Sequence, residues 1–544
     1  MNEQQSIYRP TVATKAPWWK GAVIYQVYPR SFADSNGDGI GDLKGATAHL
    51  DHVANLGCDG VWISPFFTSP MKDFGYDVAD YRGVDPIFGT MDDFDALVAR
   101  ARVLGLKVMI DQVYSHCSDQ HPWFIESRSS RDDAKADWFV WAEPKADGSP
   151  PSNWQSVFGG PSWTWDARRE QYYHHSFLKE QPQLNLHVPA VQDALLDVAR
   201  FWLDRGVDGF RLDALNFAMH DPALTDNPPV ADPAKRSRPF DFQHHFHNQG
   251  HADIARFIER VRALTDSYDA RFTVAEVGGE RAAAEMKLYT AGETRLNSAY
   301  GFDYLYAEQL TPGVVRATIR AWPGGSDESG ADEGWPSWAL SNHDASRFAS
   351  RWWAADHRDS FVRTALLLLI ALRGNVILYQ GEELGLPQAV VPFDQLQDPE
   401  AIANWPQTLG RDGARTPMPW SDAPDGGFGS DSPWLPLDPA HRLLNVAQQD
   451  ADPGSILNWT RSLIALRRDS AALRHGAIRL IDEASDQIVA FEREADGERL
   501  LCVVNLSTSP APNPRPSGLA LAATGGADPA SPMLPPASGF IAPC

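Results

Sequence analysis

Short runs of β-branched and aromatic residues recur between longer amphipathic stretches along this chain, and that alternation restricts its fold more than any other feature. Eight such runs occur: 22–29 (AVIYQVYP), 59–65 (DGVWISP), 106–113 (LKVMIDQV), 208–215 (DGFRLDAL), 272–277 (FTVAEV), 298–304 (SAYGFDY), 338–344 (WALSNHD) and 375–380 (NVILYQ). The stretches between them, such as 92–104, 191–205, 254–264 and 361–372, carry apolar residues at helical spacing, and most are closed by a Gly. Repeated strand–helix units exclude a sandwich and predict an α/β fold, a (β/α)8 TIM barrel.

Two connections are too long for ordinary loops. Residues 114–187 follow the third strand without clear helical periodicity and read as an inserted subdomain, and a second insertion at about 216–250 follows the fourth strand. Both leave from C-terminal strand ends, where barrel enzymes build their sites. After about residue 476 the pattern changes to period two, which predicts a C-terminal antiparallel β domain. The expected organisation is therefore a first barrel segment at 1–113, the subdomain at 114–187, a second barrel segment at 188–476 and the β domain at 477–544.

Composition removes several classes of function. The 48 basic and 71 acidic residues leave a net charge of −23, which excludes the electrostatics of nucleic-acid binding or of anionic membranes. Four isolated cysteines, at 58, 117, 502 and 544, show neither a disulfide framework nor zinc spacing. The N-terminus lacks an apolar signal core, and no apolar run approaches the roughly 20 residues that span a bilayer. The expectation is a cytoplasmic protein, monomer or homodimer, with no membrane partner.

The chemistry is written at the strand ends. Arg211 and Asp213, two apart on the fourth strand, point to one side, while Glu276 ends the fifth and His343 and Asp344 end the seventh. Three carboxylates at one mouth push their pKa values apart, and an ionised acid beside a protonated one is what glycosidic cleavage needs.

GFRLDALNF (209–217), TVAEVGG (273–279), SNHDASR (341–347) and DQVYSH (111–116) resemble, in order and spacing, the four signature regions of the α-amylase family of glycoside hydrolases. IYQVYPRSFADSNGDGIGDLKG (24–45), FGYDVADY (74–81), QPQLN (181–185), YQGEELGL (379–386) and GRDGARTPMPW (410–420) extend the resemblance to the oligo-1,6-glucosidase and α-glucosidase branch. It implies that Asp213 is the nucleophile, Glu276 the general acid and base, and Asp344 the transition-state stabiliser. His116 and His343 would bond hydroxyls of the same sugar, and Arg211 would orient Asp213. Tyr76 would stack beneath the ring, with Asp77 and Arg411 gripping its 4-hydroxyl, an exo-acting pocket. Phe158 and Phe177 match aromatic walls.

The loop Asp34-Ser-Asn-Gly-Asp38-Gly-Ile40-Gly-Asp42 places oxygen donors at alternate positions, as a tight cation loop does, although Gly45 stands where an EF-hand needs its Glu. The resemblance implies one structural Ca²⁺, or Mg²⁺, held by Asp34, Asn36, Asp38, the Ile40 carbonyl and Asp42, and no organic cofactor. Ser115 replaces the Asn that ligates calcium in α-amylases, Gln183 replaces an Asp, and Ala214 rather than Val follows the nucleophile. In this branch Ala there accompanies α-1,4 linkages.

The expected partners are thus neutral small α-glucosides, hydrolysed or transferred to alcohols and sugars. A sucrose hydrolase, oligo-1,6-glucosidase, sucrose isomerase or trehalose synthase would use the same machinery. A non-catalytic transporter-associated barrel would need a membrane helix and would usually lack the three acids.

Overall fold

The computed structural model describes residues 16–231, 238–322, 334–352, 358–406, 408, 410–481 and 485–544. Eight parallel strands form one sheet: β1 (Val23–Val27), β2 (Gly60–Ile63), β3 (Lys107–Val113), β4 (Gly209–Asp213), β5 (Phe272–Val277), β6 (Ser298–Gly301), β7 (Ser337–Trp338) and β8 (Asn375–Tyr379). Their order is 6-5-4-3-2-1-8-7, and a parallel bridge from Ala299 to Pro336 joins the two edges, so the sheet closes as the expected barrel. Strand residues are buried on both faces, which is why these segments read as continuous apolar runs.

The outer helices follow in turn: α1 (Leu50–Leu56), α2 (Met91–Val103), α3 (Pro189–Asp204), α4 (Ile254–Asp266), α5 (Ala282–Thr290), α6 (Pro312–Ala321), α7 (Arg358–Ala371) and α8 (Ile456–Asp469). Helix α2 starts on a reciprocal capping box, Thr90 with Asp93, which satisfies two orphan amides at once. Helix α7 is buried over nearly its whole length because it lies between the barrel and the C-terminal sheet, its Thr364 hydroxyl donating to the Ala537 carbonyl. Its unpaired terminal carbonyls are met by two buried guanidinium groups: Arg467 bonds the carbonyls of Ile370 and Leu372, and Arg493 that of Ala371.

Two strands are shorter than the pattern predicts. The seventh, expected over 338–344, pairs only at Ser337–Trp338. Beyond it the Asn342 side chain accepts the amides of Asp344 and Ala345, both at 2.8 Å, and turns the chain out of the ladder. That turn brings Asp344 to the barrel mouth and leaves His343 buried beside it. The sixth stops at Gly301 rather than 304.

After β3 the inserted segment carries a helix (Pro122–Ser129) and a small antiparallel sheet, Trp141–Ala142 and Trp163–Asp166 flanking Gln171–His174. Gln183 ties it to the barrel: its Nε2 donates to the Phe217 carbonyl beyond β4, and its Oε1 accepts from Ser176. In the second insertion, residues 232–237 lie outside the described residues. The C-terminal sheet is antiparallel, in the order Ala477–Leu480, Ile488–Ala495, Glu498–Asn505, Ser538–Pro543 and Ala522–Thr524. Among the described residues no helix is long and apolar enough to cross a membrane.

Candidate active site

A cavity of about 570 Å³ opens at the C-terminal ends of the strands. Asp213, Glu276 and Asp344 all line it, as do Tyr76, His116, Phe158, Phe177 and Arg411. The seating of the acids follows from strand ends: Asp213 closes β4, Glu276 lies next to last in β5, and Asp344 sits on the turn after β7.

One fully buried guanidinium organises the centre. Arg211 Nη1 meets Asp213 Oδ1 and, at 2.6 Å, Asp111 Oδ1, while its Nη2 meets Glu276 Oε2 at 2.6 Å. Burial alone would lower its pKa, but Asp111 and Glu276 outweigh that and raise it, so its charge is permanent. Asp111 also accepts Trp62 Nε1 at 2.8 Å, and burial lifts its pKa to about 6 against the pull of Arg211. Burial likewise pushes Asp213 well above the usual carboxylate range, with Glu276 and Asp111 adding to the rise and Arg211 opposing it.

Glu276 is held on two sides. Its Oε2 accepts the Ala214 amide at 3.0 Å, and its Oε1 accepts the Tyr300 hydroxyl at 3.1 Å. Ala214 occupies the left-handed region, with φ 40° and ψ 45°, an unusual place for a residue with a Cβ, and this twist turns its amide toward the acid.

Asp344 differs electrostatically. Burial opposes its ionisation, but Arg415 at 2.7 Å and Arg411 at 3.3 Å, with His343 alongside at 3.2 Å, hold its pKa well below the usual range. The two arginines carry this effect, because burial drops His343 to about 3 and leaves its ring neutral near pH 7. His343 is enclosed: its Nε2 bonds the Tyr76 hydroxyl at 2.6 Å, Gln26 holds its Nδ1 at 2.8 Å, and its ring stacks parallel to Tyr76. It therefore braces Tyr76 and does not line the cavity. His116, whose pKa burial also lowers to about 3, does reach the cavity, steadied by Ser115 at 2.8 Å and Gln181 at 3.1 Å.

Besides His343, the structure changes the expected partner of Arg411. Arg411 pairs not with Asp77 but with Asp73 at 2.9 Å, and with Asp398 at 2.8 Å. Asp77 is fully buried away from the cavity, accepting the amides of Lys72 and Asp73 and the Ser69 hydroxyl at 2.8–2.9 Å. It shapes the loop that carries Asp73, which lines the cavity. The chain reverses between the two aspartates through Phe74 (φ 52°) and Gly75 (φ 109°), where a Cβ on Gly75 would come within 3.1 Å of the Pro65 carbonyl. Either Asp of KDFGYD satisfies a linear reading, and this reversal selects the first. Asp398, Arg415 and Tyr300 join the site without having been expected there. Arg415 stands in the GRDGARTPMPW run four residues after Arg411, a visible signal, whereas Asp398 lies in an unremarkable acidic stretch.

The aromatic walls are in place. Phe158 faces the Arg411 guanidinium at 5.0 Å, and Phe177 packs 5.0 Å from both His116 and Phe217. The second insertion and neighbouring loops add Phe217, Phe240, Phe246, Phe302 and Tyr306 around the opening.

The 34–42 loop supplies only hard oxygen donors, the right type for Ca²⁺ or Mg²⁺. Asp34 accepts the amides of Asn36, Gly37 and Gly39, Asp38 that of Ile40, and Asp42 caps a short helix through the Gly45 amide. The Asn36 amide nitrogen faces Asp38 at 3.1 Å, so its oxygen would have to turn inward to join a coordination shell.

The chain is similar to known proteins over most of its length. Residues 26–476 match the family model described as alpha amylase, catalytic domain. A probable alpha-glucosidase of Rhizobium meliloti is 51% identical over 499 residues, covering 90% of this chain and 89% of that one, and an oligo-1,6-glucosidase of Halalkalibacterium halodurans is 36% identical over 522 residues, covering 90% of each. Among solved structures, the alpha-glucosyl transfer enzyme XgtA superposes with a TM-score of 0.91 at 48% identity, over 97% of this chain and all of that one. The trehalulose synthase MutB of Pseudomonas mesoacidophila gives 0.86 at 32% identity, with the same coverage.

Proposed function

The chain belongs to the α-amylase family, a glycoside hydrolase of its α-glucosidase and oligo-1,6-glucosidase branch, and from that premise we propose that it is a retaining, exo-acting α-glucosidase. It removes glucose from the non-reducing end of maltose-like α-1,4-glucosides and of aryl or alkyl α-glucosides, and transfers glucose to alcohols when these outcompete water.

The observation that carries this reading is the asymmetry of the cavity. The Asp73–Arg411 pair lines it beside Phe158 and Tyr76, and we take this charged pair as its closed end. Its outer side is wide and aromatic. A single sugar fits the stopped end, and an apolar aglycone or acceptor suits the other. Asp73 and Arg411 would bond the 4-hydroxyl of a terminal glucose, leaving no room for a preceding sugar.

In the first displacement Asp213 attacks the anomeric carbon while Glu276 delivers its proton to the leaving oxygen; in the second, Glu276 takes a proton from water or an alcohol, which displaces Asp213. Both acids share the Arg211 guanidinium, which suits the short spacing of about 5–5.5 Å for a double displacement better than the wider gap of an inverting pair. Asp344, kept anionic by its arginines, would hold the sugar hydroxyls and favour the cationic transition state.

Azide separates the two roles. Glu276→Ala should lose about 10²–10⁴-fold in kcat on a maltose-like substrate and, with azide, form the α-glucosyl azide from an aryl glucoside. Asp213→Ala with azide should form the β-anomer by direct displacement. Exchanged anomers, or near wild-type hydrolysis by either variant, would overturn the assignment. Product analysis on maltose, isomaltose, sucrose and trehalose tests the linkage.

A further inference from the structure

Away from the cleft, His187, His251 and Asp253 bring one potential ligand atom each into a group lying within 4.8 Å of one another. They come from separate regions of the chain. His187 stands just before α3, where the inserted subdomain returns to the barrel, while His251 and Asp253 follow the second insertion directly, at the start of α4.

The contacts of these side chains leave ligand atoms open to an ion. His251 caps the entry to α4, its Nδ1 accepting the Asp253 amide at 3.3 Å, while the Asp253 carboxylate makes no capping bond of its own. Its Oδ2 lies 3.8 Å from His251 Nδ1, too long for a hydrogen bond, and because that nitrogen accepts the Asp253 amide, His251 would ligate through Nε2 or give up that bond. His187 donates Nε2–H to the His220 carbonyl at 2.8 Å, which leaves Nδ1 with its lone pair, and such a carbonyl is the usual outer partner of a metal-bound imidazole. Beside them His220 is buried, its ring 5.2 Å from that of His187, with Nδ1 lacking any hydrogen-bond partner.

We propose that His187, His251 and Asp253 form a binding site for a borderline first-row divalent cation such as Zn²⁺, with solvent completing the tetrahedron. The donor set, two imidazoles and one carboxylate, suits zinc and not the all-oxygen shell of calcium. His187 and His251 are half-buried and Asp253 is exposed, so an ion can enter from solvent. A bound ion would staple the root of the inserted subdomain to the root of the second insertion, the two segments that wall the cavity. The site is independent of the proposed specificity and touches none of the acids.

Calorimetric titration of the metal-free full chain with ZnCl2, together with thermal unfolding, tests this. The wild type should bind one Zn²⁺ saturably and unfold at higher temperature with it. His187→Gln, His251→Gln and Asp253→Asn should each lose at least ten-fold in affinity and most of the thermal shift, while hydrolysis of an aryl α-glucoside in metal-free buffer stays within two-fold of wild type. His475→Gln, at a remote histidine paired with Asp496, should leave zinc binding unchanged. Absence of saturable binding, or equal affinity and thermal shift in the three site variants, overturns the proposal.

Discussion

Asp73→Ala tests the geometry of the stopped end most directly. Arg411 keeps Asp398 at 2.8 Å and Asp344 at 3.3 Å after the change, so no guanidinium is left without a counter-charge and the variant should fold. What it loses is a carboxylate acceptor for the sugar 4-hydroxyl. A hydrogen bond to a charged group contributes ~1.5–3 kcal/mol, which converts to about a 10- to 150-fold fall in kcat/KM. The assay compares an aryl α-glucoside with its 4-deoxy analogue. Wild type should discriminate between them by a factor in that range, and Asp73→Ala should retain only the fraction owed to Arg411. Asp77→Ala behaves differently: it removes the acceptor of three hydrogen bonds within the 69–77 loop, at about 1 kcal/mol each, and should lower Tm while the surviving fold still reads the 4-hydroxyl. Equal losses on both substrates in Asp73→Ala, or erased discrimination in Asp77→Ala with unchanged Tm, would refute the reasoning.

The remaining expectations concern protonation, linkage and the cation loop. Asp213 must be ionised to attack, and since burial raises its pKa, kcat/KM should fall as pH drops through a value above the ordinary aspartate range; an acid limb near 3.8 contradicts this. Ala214→Val places a β-branched residue at φ 40°, which should destabilise by ~1–2 kcal/mol and move the maltose-to-isomaltose kcat/KM ratio toward isomaltose; an unchanged ratio would detach residue 214 from linkage choice. We further propose that the 34–42 loop binds Ca²⁺ or Mg²⁺, so either ion should raise Tm, EDTA should reverse the rise, and kcat should not respond. A Tm indifferent to both ions and chelator, or a rise that persists in Asp38→Asn, would remove the loop from consideration.

The strand–helix alternation was sufficient for the barrel because strand burial on both faces and helical burial on one leave distinct periodicities that survive in one dimension. The acids were legible for a related reason. Asp213 and Glu276 lie at the ends of regular strands, where position in the chain maps directly onto position at the mouth. Signals failed where the backbone leaves regular structure. Residues 339–344 look like strand but are bent out by Asn342, and His343, expected to touch sugar, is enclosed by Gln26 and Tyr76.

What the linear order of residues determined, then, is the architecture and which acids meet at the barrel mouth, since both rest on local periodicity and strand ends. What only tertiary packing decided is which of two equivalent carboxylates faces the cavity. Asp73 and Asp77 are chemically the same and four residues apart; a left-handed turn at Phe74 and Gly75 sends one toward Arg411, more than three hundred residues away, and folds the other onto its own loop. Such a choice depends on the free energy of contacts between distant segments, which no local pattern encodes.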